Sequence, residues 1–282
     1  MAQIDLPAGP LAGAEWLAAR LGMPGMVIVD CRKGDGYARA HVPGALQLGL
    51  DPHLHRPGRV IEPETFAAEM NRLGIGRDKV VIAYDDGNNL FGARFWWVMR
   101  YYGHGPVRVL DGGWDGWVGG GFPVTDAAAD AATPGDFVPR IVPEMLADTA
   151  AVRAAMDDPG TLILDVRGQA EWTRQVATET SMAGHVPGAA HLVWTDVIDA
   201  LTHRFRPVDA LRARFAACGL APEAAVITYC QGGIRAAHTV LALNRAGFGH
   251  VRNYEGSWAE WSRAGMPAAI EPAPDATCRK VE

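Results

Sequence analysis

One cysteine of this chain lies where a thiol is expected to be reactive. A β-prone run at 226–229 leads directly to Cys230, and a short glycine turn at 231–233 precedes a helical pattern with no early breaker. The end of a strand beside the first turn of a helix surrounds the sulfur with backbone N–H groups, and the helix dipole favours negative charge there. Because the thiolate is the reactive form of cysteine, the sequence predicts nucleophilic chemistry at Cys230.

The residues that follow Cys230 are expected to stabilise a negatively charged sulfur. The amides of the turn are expected to stabilise a thiolate, and Gly232 and Gly233 are expected to let the backbone curve closely around it. Arg235 follows after four intervening residues and can donate two hydrogen bonds to a sulfonate or carboxylate. The sequence shows neither a Ser-His-Asp arrangement nor metal-ligand spacing, so we expect no metal and no cofactor.

Short motifs recur in the same order in the two halves of the chain, which indicates a duplicated domain. An insertion near residues 168–183 accounts for the different spacing in the second half. The matched segments are 27–32 with 162–167, 40–45 with 184–189, 81–85 with 226–230, 110–114 with 254–258, and 121–123 with 265–267.

Each half alternates strand-like apolar runs with helical patterns, which predicts a mostly parallel sheet covered on both faces. In such sheets ligands bind beyond the carboxyl ends of the strands, where Cys230 falls. The predicted strands are 26–30, 44–48, 80–84, 107–110, 161–166, 189–193, 225–229 and 250–253, and the main predicted helices are 64–73, 90–102, 208–218 and 234–246.

Composition places limits on partners and compartment. The net charge is -6 with no basic run, so we expect no nucleic-acid partner. No apolar stretch approaches the roughly 20 residues that span a bilayer, and the beginning of the sequence lacks a secretory pattern. The four cysteines form no disulfide framework by spacing, which favours a reducing cytoplasm. Cys31 is predicted to pack, while Cys218 and Cys278 are expected to be structural or incidental.

Taken together, these residues resemble the two-domain rhodanese-type sulfurtransferases, the thiosulfate and 3-mercaptopyruvate sulfurtransferase family. The resemblance covers nearly the whole chain and rests on the paired Asp-x-Arg, His-Val-Pro-Gly-Ala and Gly-x-Trp segments and on the cysteine loop. It implies an α/β fold of two tandem rhodanese-like domains, each a mostly parallel central sheet flanked by helices. We expect domains at 1–124 and 144–282 joined by a linker at 125–143.

The resemblance also implies that only the second domain is catalytic. Asp85 stands where the second half has Cys230. A carboxylate cannot carry a transferable sulfur, so the first domain is expected to be silent.

The implied reaction is a two-step sulfur transfer through Cys230. The thiolate takes the outer sulfur of a small anionic donor such as thiosulfate, and cyanide, a thiol or a protein thiol then removes it. The protein is expected to act as a monomer. Related phosphatases use a loop one residue longer before their arginine, which disfavours that activity here. The predicted substrate-binding residues are Gln231, Gly232, Gly233, Ile234, Arg235 and Arg174.

The preferred donor is less evident from the loop. Relatives that prefer thiosulfate often carry Arg and Lys after the cysteine, and those that prefer 3-mercaptopyruvate often carry Gly-Ser-Gly; this chain has neither. Larger members place an anion-binding arginine where this chain has Glu171, and Arg174 lies one helical turn further on as a replacement. We favour thiosulfate over 3-mercaptopyruvate.

Three further residues are predicted to support the structure of the site. Asp165, Arg167 and His185 each have a counterpart in the silent half, which argues against a catalytic role. Arg167 is favoured as the partner of Glu171. An alternative function is a partner-loaded persulfide carrier or a regulatory sulfur-binding module, which would need an exposed Cys230 and affinity for a partner protein.

Overall fold

The computed structural model describes residues 4–56, 58–130, 132–173, 183–270 and 278. The chain divides into two compact units. The first comprises Met1–Leu54, Val60–Val142 and Ile198–Phe205, and the second comprises His55–Arg59, Pro143–Val197 and Arg206–Glu282.

Each unit contains a five-stranded sheet. The strands in chain order are β1 (Leu11–Ala12), β2 (Met26–Asp30), β3 (Ala45–Gln47), β4 (His55–Arg56), β5 (Arg59–Val60), β6 (Val80–Tyr84), β7 (Val107–Leu110), β8 (Leu146–Ala147), β9 (Thr161–Asp165), β10 (Ala190–His191), β11 (Ala225–Tyr229) and β12 (Val251–Tyr254). The first sheet has the order β1-β7-β6-β2-β3 and the second β10-β9-β11-β12-β8, and the strand pairs within both sheets are parallel. Read from β8, the second order repeats the first. Strands β4 and β5 form a separate pair.

Helices fill the connections between the strands, as parallel pairing requires. In chain order they are α1 (Ala14–Ala18), α2 (Gly36–Arg39), α3 (Pro63–Arg72), α4 (Leu90–Tyr101), α5 (Gly113–Gly119), α6 (Thr149–Ala155), α7 (Gln169–Trp172), α8 (Val208–Ala217), α9 (Ile234–Ala246) and α10 (Ser257–Arg263). Short 3-10 turns lie at Pro143–Met145 and Trp194–Val197.

The central strands are mostly apolar because both faces of each sheet are covered. All five residues of β6 are buried, and so are the last four of β11. This burial explains why β2, β6, β7 and β11 have the predicted bounds. The fold class, two α/β domains with parallel sheets, is confirmed.

The register of the second sheet brings two strand ends together. Tyr229, the last residue of β11, pairs with Asp165, the last residue of β9. The residues that follow these two strands therefore begin at the same edge. The first sheet repeats this arrangement with Tyr84 and Asp30.

The segment predicted as a linker is largely hydrogen-bonded to the first unit. The N–H of Phe137 donates to Asn71 Oδ1 over 2.6 Å, and the N–H of Arg140 donates to the Tyr102 carbonyl over 3.0 Å. His41 and Thr125 form an antiparallel bridge. The segment lacks sequence periodicity because its partners are loop and helix-end groups rather than a regular ladder. The boundaries at 124 and 144 remain a prediction.

Two cysteines that spacing did not connect are joined in the structure. Cys218, which caps the end of α8, forms a disulfide with Cys278. The backbone N–H of Cys278 donates to the His191 carbonyl on β10 over 3.2 Å, which fixes this tail residue against the second sheet. The expectation of no disulfide framework is corrected by this one bond, which gives Cys218 and Cys278 a structural role. No helix in the described ranges is long and apolar enough to cross a membrane.

Candidate active site

Cys230 lies directly after β11, and three residues separate it from Ile234, the first residue of α9. Its side chain is buried, and the residue is 2% exposed. The backbone N–H of Gly233 donates to Cys230 Sγ over 3.1 Å. Since Gly233 is the residue that precedes α9, the sulfur accepts a hydrogen bond at the amino end of a 13-residue helix. This geometry favours negative charge on the sulfur.

Ser257 fixes the backbone of the cysteine from the neighbouring strand end. The N–H of Cys230 donates to Ser257 Oγ over 3.1 Å, and this hydroxyl donates to the Tyr254 carbonyl over 2.8 Å. Ser257 Oγ lies 4.0 Å from Cys230 Sγ. Ser257 itself has a φ of 51°, in the left-handed region that costs a non-glycine residue about 1–2 kcal/mol. The hydroxyl is therefore held in the site at the expense of local strain.

Sequence reasoning missed Ser257, although a signal was present. Its counterpart in the first half is Gly113, which has a similar φ of 55°. A glycine satisfies this backbone without strain, so a serine at the matching position of the half that carries the cysteine points to a use for its hydroxyl.

The two glycines of the loop have different roles. Gly233 has a φ of 85°, and a Cβ there would lie 2.8 Å from Glu255 Oε2 and 2.9 Å from the Glu255 carbonyl oxygen. At Gly232 a Cβ would meet nothing within 4 Å, and its φ is outside the left-handed region. The expectation that both glycines are sterically required is therefore corrected: only Gly233 is, and its neighbour is Glu255 rather than the sulfur.

The backbone carbonyls at the start of the loop accept hydrogen bonds from α10. The carbonyl of Cys230 accepts from the Trp258 N–H over 3.0 Å, and that of Gln231 accepts from the Ala259 N–H over 3.1 Å. Gln231 and Ile234 are half-buried. The structure thus brings the predicted loop residues together around the sulfur. Arg174 lies outside the described residues.

Asp165 and Arg167 form a buried pair beneath the strand ends. Arg167 Nη2 donates to Asp165 Oδ2 over 2.7 Å and to the Gly184 carbonyl over 2.8 Å. The guanidinium carbon lies 4.8 Å from the centroid of the Trp258 ring. In the first unit Asp30 and Arg32 repeat the ion pair. This repetition fits the predicted supporting role.

His185 is poorly suited to act as a base. Its ring stacks on Trp172 with 3.7 Å between the centroids. Burial lowers the pKa of His185 to about 4, so the ring is neutral near pH 7. Its backbone exchanges hydrogen bonds with Ala269. These contacts fit a structural residue.

Glu171 has a different partner from the one that the sequence favours. Arg235 Nη1 donates to Glu171 Oε2 over 2.5 Å, and Nη2 donates to Oε1 over 2.9 Å. Arg167, the expected partner, is held by Asp165 instead. The predicted anion-binding residue Arg235 is therefore already occupied by a carboxylate of its own unit.

In the first unit Asp85 occupies the place that corresponds to Cys230. Its Oδ1 accepts from the Gly87 N–H over 2.6 Å, and its Oδ2 accepts from the Gly92 N–H over 2.5 Å. The carbonyl of Asp85 accepts from the Trp114 N–H, as that of Cys230 does from Trp258. A fixed carboxylate thus fills the position where the second unit presents a sulfur.

Asp85 makes the stability of the first unit depend on pH. Burial raises the pKa of this fully buried carboxyl to about 6, against about 3.9 in an unfolded chain. The folded state therefore binds the proton more tightly, so this group's contribution to stability falls as pH rises from about 4 to about 6, by about 3 kcal/mol in all. We expect Asp85→Asn to remove this pH-dependent contribution to stability. The measurement compares the melting temperatures of variant and wild type across pH 4–7, and the wild type should lose stability relative to the variant as the pH rises.

The same variant tests whether the first domain is silent. Asp85→Asn should leave the rate of sulfur transfer within about twofold of wild type, because it changes no group around Cys230. A tenfold or larger loss of transfer rate in a folded variant would contradict the silent role of the first domain. A difference in melting temperature between variant and wild type that stays constant across pH 4–7 would contradict the titration assigned to Asp85.

Cys31, the other free cysteine of the described residues, has no assigned role at this site. Cys31 is fully buried, and burial together with nearby Asp85 and Asp30 raises the pKa of its thiol well above the usual value. Its counterpart Val166 is also buried, which fits the predicted packing role. Within the part of the chain that the structure describes, no three His, Cys, Asp or Glu side chains are grouped to hold a metal ion.

Comparisons with known proteins agree with this architecture. A family model described as a rhodanese-like domain matches residues 13–119 and 148–264. The chain is 34% identical over 269 residues to a probable 3-mercaptopyruvate sulfurtransferase of Pseudomonas aeruginosa, covering 89% of this chain and 94% of the relative. It is 35% identical over 264 residues to a thiosulfate sulfurtransferase of Corynebacterium glutamicum, covering 89% and 87%. The crystal structure of the 3-mercaptopyruvate sulfotransferase SseA from Escherichia coli is similar with a TM-score of 0.78 at 30% identity, covering 89% of this chain and 99% of that one.

Proposed function

This chain belongs to the rhodanese family of sulfurtransferases, and from that premise we propose that it moves a sulfane sulfur from thiosulfate to a thiophilic acceptor through a persulfide on Cys230. The domain at 144–282 carries the reaction, and the domain at 1–124 is silent. The observation that carries the proposal is the hydrogen bond from the Gly233 N–H to Cys230 Sγ at the start of α9.

The reaction balances without an added oxidant or reductant. The Cys230 thiolate attacks the outer sulfur of thiosulfate, a new S–S bond forms, and the S–S bond of the donor breaks with its electron pair leaving on sulfite. In the second step the acceptor attacks the outer sulfur of the persulfide, and Cys230 leaves as the thiolate. The negative charge stays on sulfur throughout, on Sγ of the free thiolate and on the outer sulfur of the persulfide, and oriented N–H groups offset it.

Thiosulfate is proposed over 3-mercaptopyruvate because of the residues that make up the loop. The loop has no serine that could assist the release of pyruvate from a mercaptopyruvate donor, and thiosulfate needs no such help because sulfite is a stable leaving group. Arg235 is the cation of the loop that we assign to the anionic end of the donor.

The test is intact-protein mass spectrometry after separate incubation with thiosulfate and with 3-mercaptopyruvate. We expect a gain of about 32 Da that cyanide removes and that loads faster from thiosulfate. Faster loading from 3-mercaptopyruvate would reverse the donor assignment while leaving the persulfide mechanism in place.

A partner-loaded carrier would use the same cysteine, and the same experiment distinguishes it from an enzyme that uses small donors. A carrier would gain no sulfur from either small donor but would accept it from a persulfide-bearing protein. Cys230 is 2% exposed, which supports transfer between small molecules that enter the site rather than direct contact between two proteins.

A further inference from the structure

The candidate site contains an ion pair that the transfer reaction does not require. Arg235, in the first turn of α9, and Glu171, on α7, are joined by two hydrogen bonds, and their side chains are 21% and 23% exposed. Paired hydrogen bonds between a guanidinium and a carboxylate are strong and directional. Any donor that is to bind Arg235 through the same two N–H groups must first displace Glu171.

Glu171 is fixed in place by its own helix. The backbone N–H of Gly168 donates to Glu171 Oε2 over 3.0 Å, which closes the first turn of α7. Burial would raise the pKa of Glu171, but the hydrogen bonds and charge of Arg235 outweigh it and lower the pKa below its usual value. The carboxylate is therefore charged at neutral pH.

Arg235 also interacts with the reacting sulfur. Burial would lower the pKa of Arg235, but Glu171 and Cys230 together raise it above its usual value. The guanidinium therefore interacts with both Glu171 and the sulfur in the free enzyme. The Glu171 carboxylate repels an incoming dianion, whereas a monoanion meets about half of that repulsion.

We propose that Glu171 is a specificity-determining residue, whose carboxylate competes with the donor for Arg235 and thereby raises KM for doubly charged donors such as thiosulfate more than KM for singly charged ones. This inference rests on the proposed role of Cys230 as the sulfur acceptor.

The test uses Glu171→Gln in the full-length chain. Glutamine keeps the length of the side chain and can still accept from the Gly168 N–H, but it removes the charge. We expect KM for thiosulfate, a dianion, to fall by roughly tenfold, and KM for 3-mercaptopyruvate, a monoanion, to fall by no more than about threefold. Values of kcat should stay within about twofold for both, because Glu171 acts before the chemical step.

Two further variants make the result specific. Glu223→Gln removes the same charge from an exposed position before β11, at the opposite end of that strand from Cys230, and should change neither KM. Glu171→Ala removes the carboxylate altogether and should reproduce the effect on thiosulfate, so the test does not depend on the folding of one variant.

The outcomes separate this inference from the proposed function. An unchanged ratio of kcat/KM for the two donors in both Glu171 variants would overturn the specificity role. A higher KM for thiosulfate would do the same, because it would mean that Glu171 positions Arg235 for the donor. If wild type gains no sulfur from either donor, the proposed function itself fails, whatever the variants do.

Discussion

Cys230→Ser is expected to lose sulfur transfer by roughly a thousandfold or more. A serine hydroxyl ionises far less readily than a thiol and cannot carry sulfur as a persulfide. The two side chains have nearly the same shape, so the hydrogen bond from the Cys230 N–H to Ser257 should persist. Activity would be measured as thiocyanate formed from thiosulfate and cyanide.

The control for this variant is Cys31→Ser, which changes the second free thiol of the described residues. Because Cys31 is buried in the other unit and its thiol has a raised pKa, this change should lower stability but leave transfer largely intact. Appreciable turnover in folded Cys230→Ser would refute the assignment of the nucleophile.

The second large effect is expected for Gly233→Ala, with a loss in transfer of roughly a hundredfold. Alanine at a φ of 85° costs about 1–2 kcal/mol, and its Cβ would lie 2.8 Å from Glu255 Oε2. The loop must shift to relieve both, and the N–H that donates to Cys230 Sγ shifts with it. The measurement is kcat/KM for thiosulfate with a thermal melt to establish folding.

Gly232→Ala is the matched control because it adds the same methyl group one residue earlier. At that position the backbone is ordinary and a Cβ meets nothing within 4 Å. We expect a loss of no more than about fivefold, arising from the reduced space for the donor. Equal losses in the two variants would show that bulk in the loop, rather than the orientation of the Gly233 N–H, limits the reaction.

The parts of the fold that sequence reasoning predicts are those with a local signal. Strands β6 and β11 are runs of buried residues bounded by turns, so their bounds follow from the sequence. Strands β1 and β8 have two residues each, too few for any periodicity, and they form only because a neighbouring strand offers them hydrogen bonds. A window of two residues therefore cannot predict either strand from the sequence.

The same limit applies to the candidate site. The turn around Cys230 can be predicted because the strand, glycines and helix are contiguous. The contact between Cys230 and Ser257 joins residues 27 positions apart, and that between Arg235 and Glu171 joins residues 64 apart. Both depend on which strand ends lie side by side. Without that register, Arg167 is as reasonable a partner for Glu171 as Arg235.

The disulfide stabilises the second unit in a way that its non-covalent contacts do not. Cys218 and Cys278 enclose a span of 60 residues that contains Cys230, all of α9 and Ser257. When the bond is formed, this segment is a closed ring even in the unfolded chain. In the chain-entropy account, a ring of this size lowers the conformational entropy of the unfolded state. This stabilises the folded state by on the order of 4 kcal/mol. The thermodynamic stability of the second unit is thereby coupled to the redox potential of its surroundings.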